Sequence, residues 1–421
     1  MNVCIIPSRT GGSIKAIASK SAAHRLLICA AFSDGETVVR CEEINEDITA
    51  TVRCLHALGA SIEREAPYYR VTPIQALQKN ATLDCGESGS TMRFLVPVTC
   101  MLGADASFQM AGRLPERPLS PLREELERCG IQLSAPGSNP MVCRGTVRET
   151  DFSIPGNVSS QFISGLLFAL AVSGKTGTLR IEGALESAPY VDLTADALRR
   201  FGVPVERTET GYAIPENPGL SSPGEVFVEG DWSNAAFPLA LGTVGKEPIT
   251  VCGVDCHSRQ GDRAIVALLR QFGATLIEKG DRVTAAPAPL RGIEIDASQI
   301  PDLVPILATV ASVAEGKTVI YNAARLRLKE SDRLQTVRTM LNTLGAKVEE
   351  TPDGLIVEGV PHLRGGSVSS FGDHRIAMSA AVASVTCSKS VTIERAESAA
   401  KSYPAFWEDM RALGMEIREE A

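Results

Sequence analysis

At 421 residues the chain exceeds one comfortable hydrophobic core, so two domains are expected, and its 44% hydrophobic and 22% charged residues suit a folded globular protein. No apolar run nears the ~20 residues of a membrane helix, residues 1–10 lack the apolar core of a secretory signal, and a formal net charge of −8 argues against nucleic acid or an anionic membrane as the main partner. The eleven cysteines are scattered without a CxxC pair, which fits reduced thiols in a cytoplasm; Cys252, Cys256 and His257 lack a second ligand pair and read as chance proximity, so no metal is expected.

Residues 2–6 read as a strand, and six copies of one pattern follow. In each, a helical run ends in glycine and a short strand comes next. The glycines are Gly59, Gly130, Gly202, Gly273, Gly345 and Gly414, spaced 71, 72, 71, 72 and 69 residues apart. Each reads as the left-handed stop after a helix, where a side chain would clash. About 40 residues upstream of each glycine runs a second register, Ser21, Ser90, Ser160, Asp231, Asp302 and Asp373, at or before an apolar helical run. Serine and aspartate are favoured helix N-caps. The change from serine to aspartate at the midpoint divides the chain into two halves of three units.

The fifth unit is the clearest. It predicts a strand over 292–296, a helix over 301–315 opened by Pro301 and Asp302, a strand over 317–321, a helix from about 330 to 344, and a hairpin of 347–350 with 355–358 around Pro352-Asp353-Gly354. The order is βαβαββ. In the second unit, residues 135–140 lengthen the hairpin turn. The sixth unit lacks a hairpin strand, which the strand over 2–6 is expected to supply. The expected architecture is therefore α/β, with two domains of three βαβαββ units, an inverse α/β barrel type with a cleft between the domains. The boundaries are 13–229 for the first domain, and 1–12 with 230–421 for the second. Two chain crossings permit hinge closure. A solenoid fits less well, because the units are twice the usual solenoid length and the cap chemistry changes at the midpoint.

Cations gather at the helix starts. The first unit has Ser19-Lys20-Ser21 with His24-Arg25, the second has Glu87-Ser88-Gly89-Ser90 with Met92-Arg93, and the third has Ser159-Ser160-Gln161. Helix N-termini carry partial positive charge and free N–H donors, so hydroxyls and cations there favour phosphate or carboxylate. A lone serine of this kind is usually only a cap; three in register favour anion binding. Further along are Arg113 and Arg117, then Lys329-Glu330-Ser331-Asp332-Arg333, Asp373-His374-Arg375 and Lys401. Taken singly, these also fit solvated ion pairs or a structural arginine. Asp302 and Glu330 beside such cations are candidates for proton transfer, with N-capping the bland role for Asp302. No Ser-His-Asp order, GxxxxGK[ST] or GxGxxG after a strand is present.

Taken in order, these motifs resemble the enolpyruvyl transferases and, among them, the EPSP synthase family, from Ser19 to Lys401. The resemblance implies transfer of the enolpyruvyl group of phosphoenolpyruvate to the 5-hydroxyl of shikimate 3-phosphate, with release of phosphate and without cofactor or metal. By that resemblance Lys20, Ser21, Arg25, Ser159, Ser160, Gln161, Ser187, Tyr190, Asp302 and Lys329 would hold shikimate 3-phosphate. Ser159, Ser160 and Ser187 would face its phosphate, and Arg25 its carboxylate. Lys20, Gly89, Arg117, Gln161, Arg333, Arg375 and Lys401 would hold phosphoenolpyruvate. Asp302 would accept the hydroxyl proton, Glu330 would protonate the methylene carbon, Lys20 would assist, and His374 stands as an accessory residue. A cytoplasmic monomer is implied.

Four positions depart from the pattern. Glu87 stands for an asparagine, Ser90 for a threonine, Ala18 for a glycine, and Arg325 for a polar residue. Glu87 would repel phosphoenolpyruvate unless paired, with Arg93 the expected partner. Gly89 matches the glycine that admits the inhibitor glyphosate, so a glyphosate target is implied. The enzyme alternative is UDP-N-acetylglucosamine enolpyruvyl transferase, whose loop cysteine has no counterpart in 112–121. An RNA 3′-phosphate cyclase fits the acidic balance poorly. The alternative outside catalysis is an anion-binding repeat scaffold.

Overall fold

The computed structural model describes residues 1–42 and 45–420. The chain forms two compact units, one of residues 1–17 with 229–421 and one of residues 18–228. Among the described residues there are six four-stranded sheets, three in each unit, all built to one plan. In the clearest, Glu294–Asp296 lies parallel to Lys317–Tyr321, which pairs antiparallel with Gly354–Glu358, itself in a hairpin with Lys347–Thr351. The N-terminal strand Asn2–Ile6 fills the open place in the last sheet, pairing antiparallel with both Val391–Glu394 and Glu416–Glu420.

One strand of each unit comes from across a chain crossing. Gly12–Lys15 precedes the first helix of the 18–228 unit, yet pairs parallel with Ile249–Cys252 of the other. Glu225–Phe227 precedes the Trp232–Val244 helix, yet pairs parallel with Thr37–Arg40. Residues 13–17, expected in the first domain, therefore lie in the second unit. The reason is burial: Ile14 and Ile17 fill the 229–421 core, whereas Val226 fills the 18–228 core.

In each unit three apolar helices occupy the centre and the sheets lie around them. Lys20–Ala31, Gly89–Leu102 and Ser160–Val172 serve the 18–228 unit; Trp232–Val244, Val304–Ala311 and His374–Ser384 serve the other. A helix that is apolar on all sides must be buried, and Phe162 through Ala171 are buried without a break. Gly165 allows that helix close approach, since a Cβ there would fall 2.3 Å from Arg93 O.

The six terminator glycines all adopt positive φ, from +85° at Gly202 to +113° at Gly59. The caps at the other helix ends differ from expectation. Ser19, Ser88 and Ser159 accept from backbone N–H groups, leaving Ser21, Ser90 and Ser160 inside the first turn. Asp231 and Asp373 do cap. Asp302 does not: it lies within the 3-10 turn Pro301–Leu303, and the Val304–Ala311 helix that follows has no side-chain cap. The next helix starts at Arg333 rather than near 330, because Asp332 caps it through Gln335 N–H. Lys329 and Glu330 thus stand on irregular backbone ahead of a helix.

Candidate active site

In the 229–421 unit the expected residues converge on one guanidinium. Arg333, with a side chain only 2% exposed, donates Nε–H to Asp373 Oδ2 at 2.8 Å, from Nη1 to Asp302 Oδ1 at 2.9 Å, and from Nη2 to Glu330 Oε2 at 2.8 Å. Asp373 is sealed, and its remaining acceptor positions take the Ser331 hydroxyl at 2.9 Å and the Arg375 N–H at 3.0 Å. A carboxylate so saturated positions its neighbours and carries no proton. Arg333 was expected to grip a substrate carboxylate; here most of its donors are committed to three protein carboxylates.

Asp302 and Glu330 lie at the rim of this cluster, 20% and 19% exposed. Lys329 Nζ is 3.3 Å from Asp302 Oδ1, and Arg375 Nη2 is 3.7 Å from Oδ2. Burial opposes the Asp302 charge, but Lys329, Arg375 and Arg333 together outweigh it and hold the carboxyl well below the usual carboxylate range. Burial also pulls the Lys329 ammonium down, against the pull of Asp302. Arg375 is under-supplied with acceptors. One Nη1 contact reaches Ser233 O at 3.3 Å, and the buried Nε has no hydrogen-bond partner among the described residues. Its guanidinium lies over Phe237, 6.0 Å from the ring centre, an apolar backing that leaves the cation suited to a further anion. His374 and Lys401 are both buried, His374 as the first residue of its helix and Lys401 at the end of the Ala396–Lys401 3-10 stretch. Arg325 donates to Ser298 O at 2.8 Å.

In the 18–228 unit a second cationic site forms at the starts of the Gly89–Leu102 and Ser160–Val172 helices. Arg93 and Arg117 crowd Gly89: a Cβ there would lie 2.5 Å from Arg93 Nη1 and 2.9 Å from Arg117 Nη1. Gln161 joins the pieces, accepting from Arg93 at 3.2 Å and donating to Ser90 Oγ at 2.9 Å. Lys20 Nζ pairs with Asp47 Oδ2 at 2.9 Å. The Glu87 carboxylate lies against Gly112, within 2.9 Å of where a Cβ would stand, while Arg93 is engaged by Gln161, Pro118 O and the Phe162 ring.

Arg25 is tied into the protein itself. It is 3% exposed, and its guanidinium ties helix starts together through Thr194 Oγ1 at 2.8 Å, Tyr190 O at 2.7 Å and Ser21 O at 2.6 Å. Burial lowers its pKa to about 10, which still leaves it charged at neutral pH. Ser159 caps its helix through Gln161 N–H, and Ser160 follows in the first turn. Ser187 sits at the start of the Ala188–Arg200 helix with φ 56°, ψ 37°, a left-handed conformation that a non-glycine residue seldom holds.

Sequence reasoning missed Asp47 and the holding role of Asp373. Asp47 lies 27 residues from Lys20, and Asp373 lies 40 residues from Arg333. No local pattern marks either contact. Arg93 was visible in its motif, expected only as the partner of Glu87, and its place against Gly89 and Gln161 was not foreseen. Among the described residues no group of three or more His, Cys, Asp or Glu side chains is placed to hold a metal ion, and no helix is long and apolar enough to cross a membrane.

Comparison with known proteins bears on what these two sites serve. The family profile of EPSP synthase (3-phosphoshikimate 1-carboxyvinyltransferase) matches residues 5–410. The 3-phosphoshikimate 1-carboxyvinyltransferase of Clostridium kluyveri is 42% identical over 419 residues, covering 99% of this chain and 98% of the relative. That of Methanocorpusculum labreanum is 38% identical over 427 residues, covering 100% of both. The solved EPSP synthase of Acinetobacter baumannii is 25% identical with a TM-score of 0.83, covering 99% of this chain and 100% of that one. The enolpyruvyl transferase NikO of Streptomyces tendae shares the fold at 20% identity and a TM-score of 0.77, covering 99% of this chain and 98% of that one.

Proposed function

The chain belongs to the EPSP synthase family, and from that premise we propose how its residues carry the family's reaction. The protein is an enolpyruvyl transferase of the shikimate pathway. It moves the enolpyruvyl group of phosphoenolpyruvate to the 5-hydroxyl of shikimate 3-phosphate and releases phosphate.

In this reading Arg375, Lys401, Lys20 and Arg117 meet phosphoenolpyruvate, with Gly89 and Gln161 shaping its place. Ser21, Ser159, Ser160, Gln161, Ser187 and Tyr190 meet shikimate 3-phosphate together with Lys329. Arg25 secures the helix starts that present them. Asp302 takes the 5-hydroxyl proton as Glu330 protonates the methylene carbon, and the oxygen attacks the cationic carbon to give a tetrahedral intermediate. Loss of phosphate reverses the proton traffic, with Lys20 assisting. The reading requires the residues of both units to act on one substrate pair.

The observation that carries it is the single guanidinium of Arg333 shared by Asp302 and Glu330 at 2.9 and 2.8 Å. Two proton-handling acids held on one fork keep fixed geometry while their protonation changes. Lys329 and Arg375 hold Asp302 ionised, so it is ready to accept a proton. Bound substrate anions would neutralise those cations, and the carboxyl's pKa would climb toward the range of an effective base. The test is deuterium uptake. In D2O with both substrates, label should enter the methylene carbon of recovered phosphoenolpyruvate, and Glu330→Gln should suppress it; undiminished uptake in that variant removes the role from Glu330.

The same reading includes a monomer working in the cytoplasm and a site open to glyphosate. Eleven free cysteines support a reducing compartment. The absence of a side chain at Gly89 between two arginines supports the inhibitor's access.

A further inference from the structure

A chain of buried side chains joins three helices of the 18–228 unit just behind the cations. His24 Nδ1 is 2.7 Å from Thr51 Oγ1, Thr51 Oγ1 is 2.7 Å from Thr91 Oγ1, and Thr91 Oγ1 is 2.8 Å from Ser88 Oγ. Thr91 Oγ1 also lies 3.4 Å from Asp47 O, and Ser88 Oγ caps its helix by accepting Thr91 N–H. His24, Thr51, Thr91 and Ser88 are all at most 1% exposed.

A helical threonine can spend its hydroxyl on a carbonyl of its own helix. Thr49 does so with Asn45 O, and Thr99 with Val96 O. Thr51 and Thr91 instead face across to one another, so their pairing is a tertiary contact between the Glu46–Leu58 and Gly89–Leu102 helices. Burial pulls the His24 pKa down to about 3, so the ring is neutral. If Nδ1–H donates to Thr51, and Thr51 and Ser88 both donate to Thr91, the Thr91 hydroxyl proton is left for Asp47 O and every link carries one proton.

We propose that Thr51 and Thr91 are positioning residues for phosphoenolpyruvate, fixing Lys20 through Asp47 and fixing Gly89 and Arg93 through Ser88. Thr91 reaches the predicted donor site on two sides, through Asp47 and through Ser88. Asp47 holds the Lys20 ammonium at 2.9 Å, and Ser88 sets the first turn that places Gly89 against Arg93 and Arg117. The inference rests on the reading that Lys20 and Gly89 meet phosphoenolpyruvate. None of these four side chains is assigned to contact shikimate 3-phosphate.

The experiment is steady-state kinetics of the full chain with each substrate varied, using Thr51→Val, Thr51→Ser and His24→Gln. Thr51→Val should raise KM for phosphoenolpyruvate about tenfold, while kcat and KM for shikimate 3-phosphate move less than about twofold. Thr51→Ser restores the hydroxyl and should return KM to within about twofold of the parent. His24→Gln keeps a donor to Thr51 and should resemble the parent; it also serves if Thr51→Val does not fold. Unchanged constants in Thr51→Val, an equal rise in both KM values, failure of Thr51→Ser to rescue, or a His24→Gln defect shared by both substrates would each overturn the proposal. An inactive parent protein would overturn the functional reading and this inference with it, whereas an active parent with an unaltered Thr51→Val overturns the inference alone.

Discussion

Asp302 keeps its charge because three cations outweigh its burial, and the same cations make it responsive to an arriving anion. Asp302→Ala should lower kcat by about 10²–10⁴-fold, the usual weight of a general base, while calorimetry still detects shikimate 3-phosphate binding; near-normal turnover would remove the role. His24 gives a second prediction with a definite sign. Burial, the largest influence, lowers its pKa from 6.5 to about 3 in the folded chain. Between those values the unfolded state binds more protons, so His24 makes stability fall as pH drops through that window. His24→Gln should flatten the decline of the urea midpoint between about pH 6.5 and 4.5, and an unchanged decline would contradict the assignment. The candidate residues were legible as chemical types in their motifs. Their partners were not: Arg333 looked like a free gripping group, and only the fold shows Asp302, Glu330 and Asp373 taking most of its donors.

The helix terminators were legible in the sequence because left-handed backbone leaves a mark there, and all six glycines hold positive φ. Their surroundings are unequal, which yields a prediction at this scale. A Cβ on Gly59 would fall 2.8 Å from Ala76 O, whereas one on Gly130 would meet nothing within 4 Å. Gly130→Ala should lose about 1 kcal/mol from backbone strain alone, and Gly59→Ala clearly more, as read from urea midpoints with equal slopes. Equal losses would show that the carbonyl contact yields without penalty. Caps were less legible. Ser19 and Ser21, or Ser88 and Ser90, offer near-equivalent side chains within two residues, and only backbone geometry selects the first of each pair. Asp302 has the residue type of a cap and stands in register with true caps, yet the turn around Pro301 leaves it without that duty.

Two strands serve the sheet of the unit that the neighbouring helix does not belong to, and this determines where the molecule can be divided. Gly12–Lys15 and Glu225–Phe227 both precede a central helix, and nothing in their local sequence names the sheet they join. The architecture was therefore readable from the repeat, while the boundary at residues 17 and 18 was not. A fragment of residues 18–228 contains every strand of its three sheets and should unfold cooperatively in urea; a fragment ending at 224 loses the parallel partner of Thr37–Arg40 and should unfold broadly. A cooperative transition in the shorter fragment would count against the strand's importance. The central claim concerns the whole chain, namely that its two cationic sites serve one transfer to one acceptor. Inorganic phosphate released from phosphoenolpyruvate, measured with shikimate 3-phosphate and in parallel with UDP-N-acetylglucosamine, tests it most directly. Release with shikimate 3-phosphate alone is the predicted result; release with the sugar nucleotide, or with neither acceptor, would contradict it.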